Sequence, residues 1–471
     1  MRLIPCTCRV LLALFVSAGC SPQGPEQAET RDAESLPQRI DHILSSAFPQ
    51  NGPGAAAIVA RDGEVVFRGG YGLADLELGV PIEPGMIFRV ASITKEFTAV
   101  LVMQLVEEGV LSLDDELTNF LPDYPVLGHR VTVRHLLSHT SGIKTFQRIP
   151  GFQDHVREDH TLEETIAIFA NEPFEFPPGE RYSYSSSGYI LLGAILEQAT
   201  GTTYEQLLRE RIFDVVGLAS AYLSSHDRII PGRVSGYTAR EGIVYNSPIV
   251  SMTIAFSSGG LMMSVDDLAN WDEALYGTQL LGEPSKEEMW SPHVLNSGQT
   301  TEYGLGWMVT SFLGHRVLMH DGSLDGFLSA AMRLPDDHIF VAVLTNSDSP
   351  QTGPNAVARE ILAVLLGIPE KQAIAMSQAE LDRYAGTYVR RNNRVWSVIA
   401  EDGRLFIAPN ETTRLEIEPE TDTSFFFLDR SNRFNTVTFD LDEEGAVTGL
   451  VLTLHTGDQI RARREGATAN R

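Results

Sequence analysis

Hydrophobic and polar positions change rhythm three times along this chain. Residues 55–61 and 64–69 form short β-type runs, and Asp62-Gly63 between them is a two-residue hairpin signal. From Ser92 the apolar positions Phe97, Val100, Leu101, Leu105 and Val106 recur at helical spacing until Gly109 stops them. Helical patterns follow over 162–170, 188–199, 204–216 and 265–275. β-type runs return at 308–312, 315–320, 327–334 and 338–344, and a helix is predicted over 357–366. Strands at both ends with helices between them predict an α/β fold. An antiparallel sheet built from both ends of this region would pack beside an inserted helical lobe, with a site at the seam.

After residues 367–375 the rhythm changes again. Eight short runs between 386 and 462, punctuated by Asp402-Gly403 and Glu444-Gly445, predict a separate small antiparallel β-barrel over 376–465.

The first twenty residues read differently from the rest. Arg2 and Arg9 supply positive charge ahead of an apolar run over 10–16, and Val16-Ser17-Ala18-Gly19-Cys20 ends in small residues and a cysteine. This is the pattern of an export leader, too short for a permanent span. It resembles a bacterial lipoprotein signal with Cys20 as the lipid-bearing residue, although Ser17 stands where leucine is usual. Ordinary export is the alternative. The expected location is the periplasmic side of a bacterial membrane, tethered by the polar stretch 21–36. Cys6, Cys8 and Cys20 are the three cysteines of the chain, so the region beyond them is expected to hold no disulfide and no cysteine-ligated metal.

Composition narrows the partners. A hydrophobic fraction of 43% and mean hydropathy of −0.06 are those of a soluble globular protein. A net charge of −26 weighs against nucleic acid. The basic residues are the informative ones. Only Lys95, Lys144, Lys286 and Lys371 are lysines among 36 Lys and Arg. Arginine keeps its proton in a protein, whereas a buried lysine can give one up. Roughly 0.3 Ser-x-x-Lys pairs are expected by chance, and two occur. Ser92-Ile93-Thr94-Lys95 opens the first helix, where residues three apart share a face. Ser141-Gly142-Ile143-Lys144 contains a turn glycine and has no reason to bring its two side chains together. The plain alternative for Ser92 is a capping serine beside a solvated lysine.

Three further segments add to the first pair: Pro178 to Tyr189 with Tyr184-Ser185-Ser186, His320-Asp321-Gly322-Ser323, and Arg134 to Gly142 with His139-Thr140-Ser141-Gly142. In this order the four resemble the serine β-lactamase and penicillin-binding family. The nearest branch holds class C β-lactamases, DD-carboxypeptidases, D-aminopeptidases and related esterases. The resemblance covers about residues 40–366, and the last strands look like the lipocalin-like domain appended to some members. It implies Ser92 as nucleophile, Lys95 as its proton partner and Tyr184 as proton donor to the leaving group. It also implies Ser92 and Ser323 N–H groups as oxyanion donors, and Gly322 leaving room for substrate. No metal and no organic cofactor are implied, only a small-molecule or short-peptide substrate. His135 and His139, four apart, could otherwise pair on a metal, but no carboxylate third ligand stands near them.

Two positions depart from the family pattern. Ser186 replaces the usual asparagine, which lowers the weight of amide recognition and raises that of esters. His320 replaces a strand lysine and so removes a permanent cation for a substrate carboxylate. The expectation is a serine hydrolase acting on small esters or D-amino-acid-type amides. D-aminopeptidase or DD-carboxypeptidase, β-lactamase, and a weakly catalytic penicillin-binding sensor are the alternatives.

Overall fold

The computed structural model describes residues 34–466. Cys20, the other two cysteines and the leader lie outside the described residues. Among those described, no helix is long and apolar enough to cross a membrane.

The two ends of the catalytic region meet in one six-stranded antiparallel sheet. Its order across the sheet is Met308–Phe312, His315–Leu324, Phe327–Leu334, Ile339–Thr345, Ala55–Arg61 and Glu64–Tyr71. The central strand 55–61 pairs Ala55 with Thr345 on one side and with Tyr71 on the other. Its alternation explains the layers. Ala56 and Ile58 face the large core shared with the helical lobe, whereas Ala55, Ala57 and Val59 face a second core. That second core is closed by two helices, Leu36–Ala47 and Pro354–Leu365. The first of these was not foreseen; its start falls in the stretch read as a tether.

The helical lobe follows the apolar periods closely. Helices occupy Leu162–Ala170, Ser186–Thr200 and Val265–Ala274. The run predicted over 204–216 is helical throughout but contains a π turn at Arg209–Phe213. Helices outside the predicted runs include Val133–Leu137, Glu283–Met289 and Met252–Gly259, the last kinking at Phe256 with φ 33° and ψ −128°. The sequence of this last helix, MTIAFSSG, shows neither the helical nor the strand period. The strand predicted to end at His320 runs on to Leu324, and Asp325-Gly326 makes the next hairpin turn.

The C-terminal strands close into an eight-stranded antiparallel barrel from Gly386–Arg390 to Gln459–Arg464. Tyr388, Trp396, Phe425, Phe427 and Phe439 fill its interior. From Leu36 onward the barrel and the catalytic region form one compact unit. Buried Glu360, only 4% exposed, lies 3.3 Å from both Arg430 and Arg433 of the barrel. The Leu313 N–H donates to the His455 carbonyl at 2.8 Å. These contacts reach the helix pair and the 308–324 hairpin. Among the described residues no barrel side chain lines the cleft at Ser92.

Candidate active site

Ser92 lies in a short 3₁₀ turn, Ala91–Ile93, that leads into the helix Thr94–Glu107. Ala91 just before it adopts φ 47°, a left-handed conformation that an alanine holds only under constraint from its surroundings. Ser92 caps no helix: the flanking cap positions are Val90 and Ile93, and neither makes a side-chain cap bond. Lys95 is fully buried, so the reading of a solvated lysine also fails.

The lysine amine has three partners. It lies 3.1 Å from Ser92 Oγ, 3.5 Å from Ser186 Oγ and 2.6 Å from the Ser258 carbonyl. Burial disfavours the charged form and pulls its pKa down to about 7, against a smaller opposing pull from Asp321. A neutral amine has two N–H bonds and one lone pair. The Ser258 carbonyl can only accept and takes one N–H, so the lone pair of the neutral amine can accept from a hydroxyl, and Ser92 Oγ is nearer than Ser186 Oγ.

The kink at Phe256 belongs to this arrangement. Beyond it, the Ser257 carbonyl accepts from Thr98 Oγ1 at 2.7 Å, and Ser257 Oγ donates to the Tyr189 carbonyl at 2.8 Å. The segment is thereby pinned to both helices that frame the site, which fixes the Ser258 carbonyl over Lys95.

Tyr184 faces Ser92 with its hydroxyl, and Lys95 Nζ lies 4.9 Å from its ring centre. Burial raises the phenol pKa well above its ordinary value, so this group remains protonated. His320 sits differently from expectation. Its ring is buried, its Nδ1 meets the Asp321 carbonyl at 2.6 Å and its Nε2 meets the Tyr303 hydroxyl at 3.0 Å. Burial and the nearby Lys95 bring its pKa to about 4, so the ring is neutral and turned into the protein. The strand therefore offers the cleft its backbone, not its imidazole.

Gly322 also has a different reason from the one expected. A Cβ there would overlap the Val90 carbonyl, Ser329 Oγ and the Ala91 side chain. The glycine admits the turn that carries Ser92, and the space is not open to substrate. Ser323 is next. The two-residue turn makes Leu324 and Phe327 a hydrogen-bonded pair, so Ser323 and Leu328 are a non-bonded one. The Ser323 N–H thus points away from its partner strand, and Ser323 lines the same cleft as Ser92.

A cleft of about 440 Å³ opens over Ser92, Ser186, Ser258 and Ser323. Phe146, Phe152, Val156, Val250 and Ile254 form its apolar wall, and Asp325 and Asp348 are its charged lining residues. Gln147 was missed by the sequence reading. Its amide nitrogen lies 3.2 Å from Ser186 Oγ, next to the place an asparagine at 186 would fill. Nothing local singles it out, since it reaches the site from a short 3₁₀ helix, Phe146–Arg148, 39 residues away. The second Ser-x-x-Lys pair is not assembled: Lys144 pairs with Glu172 at 2.8 Å, while Ser141 Oγ accepts from the Ile143 N–H at 3.2 Å. His135 closes a capping box with Thr132, and His139 serves another element, so the two rings do not converge.

The fold and this cluster define a serine hydrolase of the Ser-x-x-Lys kind. The chain belongs to the Beta-lactamase family, whose model matches residues 41–366, and residues 370–464 match a domain of unknown function (DUF3471). It is 30% identical to a D-aminopeptidase of Gluconobacter oxydans over 368 residues, 76% of this chain and 67% of that protein. It is 39% identical to esterase EstB of Burkholderia gladioli over 186 residues, 36% of this chain and 47% of the esterase. Among solved structures, the octameric penicillin-binding protein homologue from Pyrococcus abyssi superposes with a TM-score of 0.62 at 27% identity, covering 91% of this chain and 98% of that one.

Proposed function

We propose that this enzyme hydrolyses small esters or D-amino-acid-type amides through an acyl group carried on Ser92. The observation that carries the reading is the fully buried Lys95, 3.1 Å from Ser92 Oγ with its pKa near 7. Lys95 takes the Ser92 proton as the oxygen attacks the substrate carbonyl. The developing oxyanion is held by the Ser92 and Ser323 N–H groups. Tyr184 delivers a proton to the leaving group and draws its own replacement from Lys95. Water then enters on the reverse course and releases the acid. With its pKa raised so far, Tyr184 acts as a donor in this scheme and not as a standing phenolate base.

The substrate class follows from the lining. No lysine or arginine lines the cleft among the described residues, and His320 is buried and neutral, so a substrate carboxylate finds no permanent counter-charge there. This weighs against β-lactams and for esters and amides, in line with the D-aminopeptidase and esterase names of the relatives. The test is a panel of short-chain p-nitrophenyl esters, D-alanyl p-nitroanilide and nitrocefin. Turnover of esters or D-amide with little nitrocefin hydrolysis is expected; the reverse order defeats the reading. Ser186→Asn divides the first two. An asparagine amide restores a hydrogen bond worth roughly 1–2 kcal/mol, so kcat/KM for the D-amide should rise about 5- to 30-fold relative to the ester. An unchanged ratio would place amide recognition on Gln147 instead.

The leader supports export and lipidation at Cys20 as a further part of the proposal. Mass spectrometry of the mature protein should find a diacylglyceryl-modified Cys20 at its amino terminus. An unmodified terminus at another residue removes the anchor.

A further inference from the structure

The His139-Thr140-Ser141-Gly142 segment has no part in the reaction as described, yet His139 holds an unusual position. It is only 1% exposed and adopts φ 58°. That left-handed backbone turns its carbonyl and its ring toward the same neighbouring segment. The carbonyl accepts from the Ser183 N–H at 3.0 Å, and Nδ1 accepts from the Ser185 N–H at 3.1 Å. These two residues flank Tyr184. The adjoining Thr140 carbonyl takes the Gly179 N–H at 2.8 Å and extends the same docking. The imidazole also packs on the Tyr184 ring, centre to centre 4.2 Å, with Tyr303 at 4.6 Å and Tyr189 at 5.1 Å.

The protonation state agrees with this geometry. Since Nδ1 accepts, the ring proton sits on Nε2. Burial, Lys95 and His320 hold the His139 pKa well below its ordinary value, so the acceptor is retained. Nε2 has no hydrogen-bond partner among the described residues. A residue needed only for filling would be apolar, because an unpaired buried N–H is a cost. The imidazole is explained by what Nδ1 does.

We infer that His139 is a positioning residue: it brackets Tyr184 from both sides and sets that phenol at Ser92. The inference rests on the reading that Tyr184 transfers a proton to the leaving group. A misplacement of about 1 Å can lower a rate 10²-fold.

The test uses variants that tolerate the left-handed backbone. Asparagine does so and places Oδ1 near the position of Nδ1; glycine does so and removes the acceptor. His139→Gly should lower kcat about 10- to 100-fold with KM within about 3-fold. His139→Asn should hold kcat within about 5-fold of wild type. The decisive measurement is a double-mutant cycle with Tyr184→Phe, read as acylation rate on an unactivated alkyl ester, whose alkoxide leaving group needs a proton, with melting temperature followed for each variant. Once the Tyr184 hydroxyl is gone, His139→Gly should change the rate by less than about 3-fold. If glycine costs the same with and without that hydroxyl, or if asparagine is as harmful as glycine at equal stability, the positioning role is wrong. Tyr184→Phe alone at wild-type rate would instead overturn the proton-transfer reading, and this failure is seen with His139 unaltered.

Discussion

Ser92→Ala removes turnover by about 10⁴-fold or more and abolishes labelling by a fluorophosphonate or penicillin probe. The acyl-enzyme needs that oxygen, and the neighbouring hydroxyls are committed elsewhere. Ser258 Oγ donates to the Ala255 carbonyl at 2.7 Å, and Ser186 Oγ lies between Lys95 and Gln147. Among the described residues the Ser92 hydroxyl hydrogen-bonds with Lys95 and Tyr184, so its loss removes chemistry and leaves the packing intact. The melting temperature should therefore stay close to wild type. The matching control is Ser141→Ala, whose hydroxyl accepts the Ile143 N–H and has no lysine beside it. Labelling that survives in Ser92→Ala and disappears in Ser141→Ala would show that the wrong serine carries the acyl group.

Much of this fold was legible because its strands obey short-range rules. Asp62-Gly63 turns the first hairpin as its dipeptide demands, and Gly109 follows the helix that ends at Glu107. The barrel announced itself through regularly spaced runs and turns. Asp325-Gly326 carries the same hairpin signal as Asp62-Gly63. The polar residues Asp321-Gly322-Ser323 break the apolar run before this signal, so the run predicts a strand ending at His320, whereas the strand continues to Leu324. Met252–Gly259 was invisible for a different reason. Its shape is set by contacts with Thr98 and Tyr189, which are distant in sequence, and no local period records them.

The site shows the same division. Spacing alone put Ser92 and Lys95 on one face, and their contact follows from the helix that begins between them. What makes the lysine useful is its burial and the Ser258 carbonyl at 2.6 Å, neither of which has a sequence signature. The motif marks the segment of His320 and Gly322 but not its surroundings. The replacement of a lysine by His320 does not tell that the ring is buried, and a glycine does not say which backbone approaches it. Here the approaching backbone is Val90–Ala91, so the residue that seemed to admit substrate admits the nucleophile.

Lys95→Arg tests whether the amine is a base or only a charge. Arginine keeps the positive charge and has donors for the Ser258 carbonyl, but it does not release a proton near neutral pH. If Lys95 accepts the Ser92 proton, kcat should fall by at least about 10³-fold, the scale seen when groups that act as a unit are separated. The wild-type pH profile makes the same distinction without a mutation. The neutral amine is the active form, and burial places its pKa near 7. Thus kcat/KM should level off above about pH 7 and fall about tenfold per pH unit below it. His320 and His139 do not confuse that limb, since burial and Lys95 keep both largely neutral through this range. In Lys95→Arg the limb should vanish along with the rate, because the guanidinium keeps its proton through this range. Retention of a tenth of the activity with the limb unchanged would make Lys95 an electrostatic anchor. The proton would then have to leave Ser92 by another route, and Tyr184, with its pKa held high, is poorly placed to accept it.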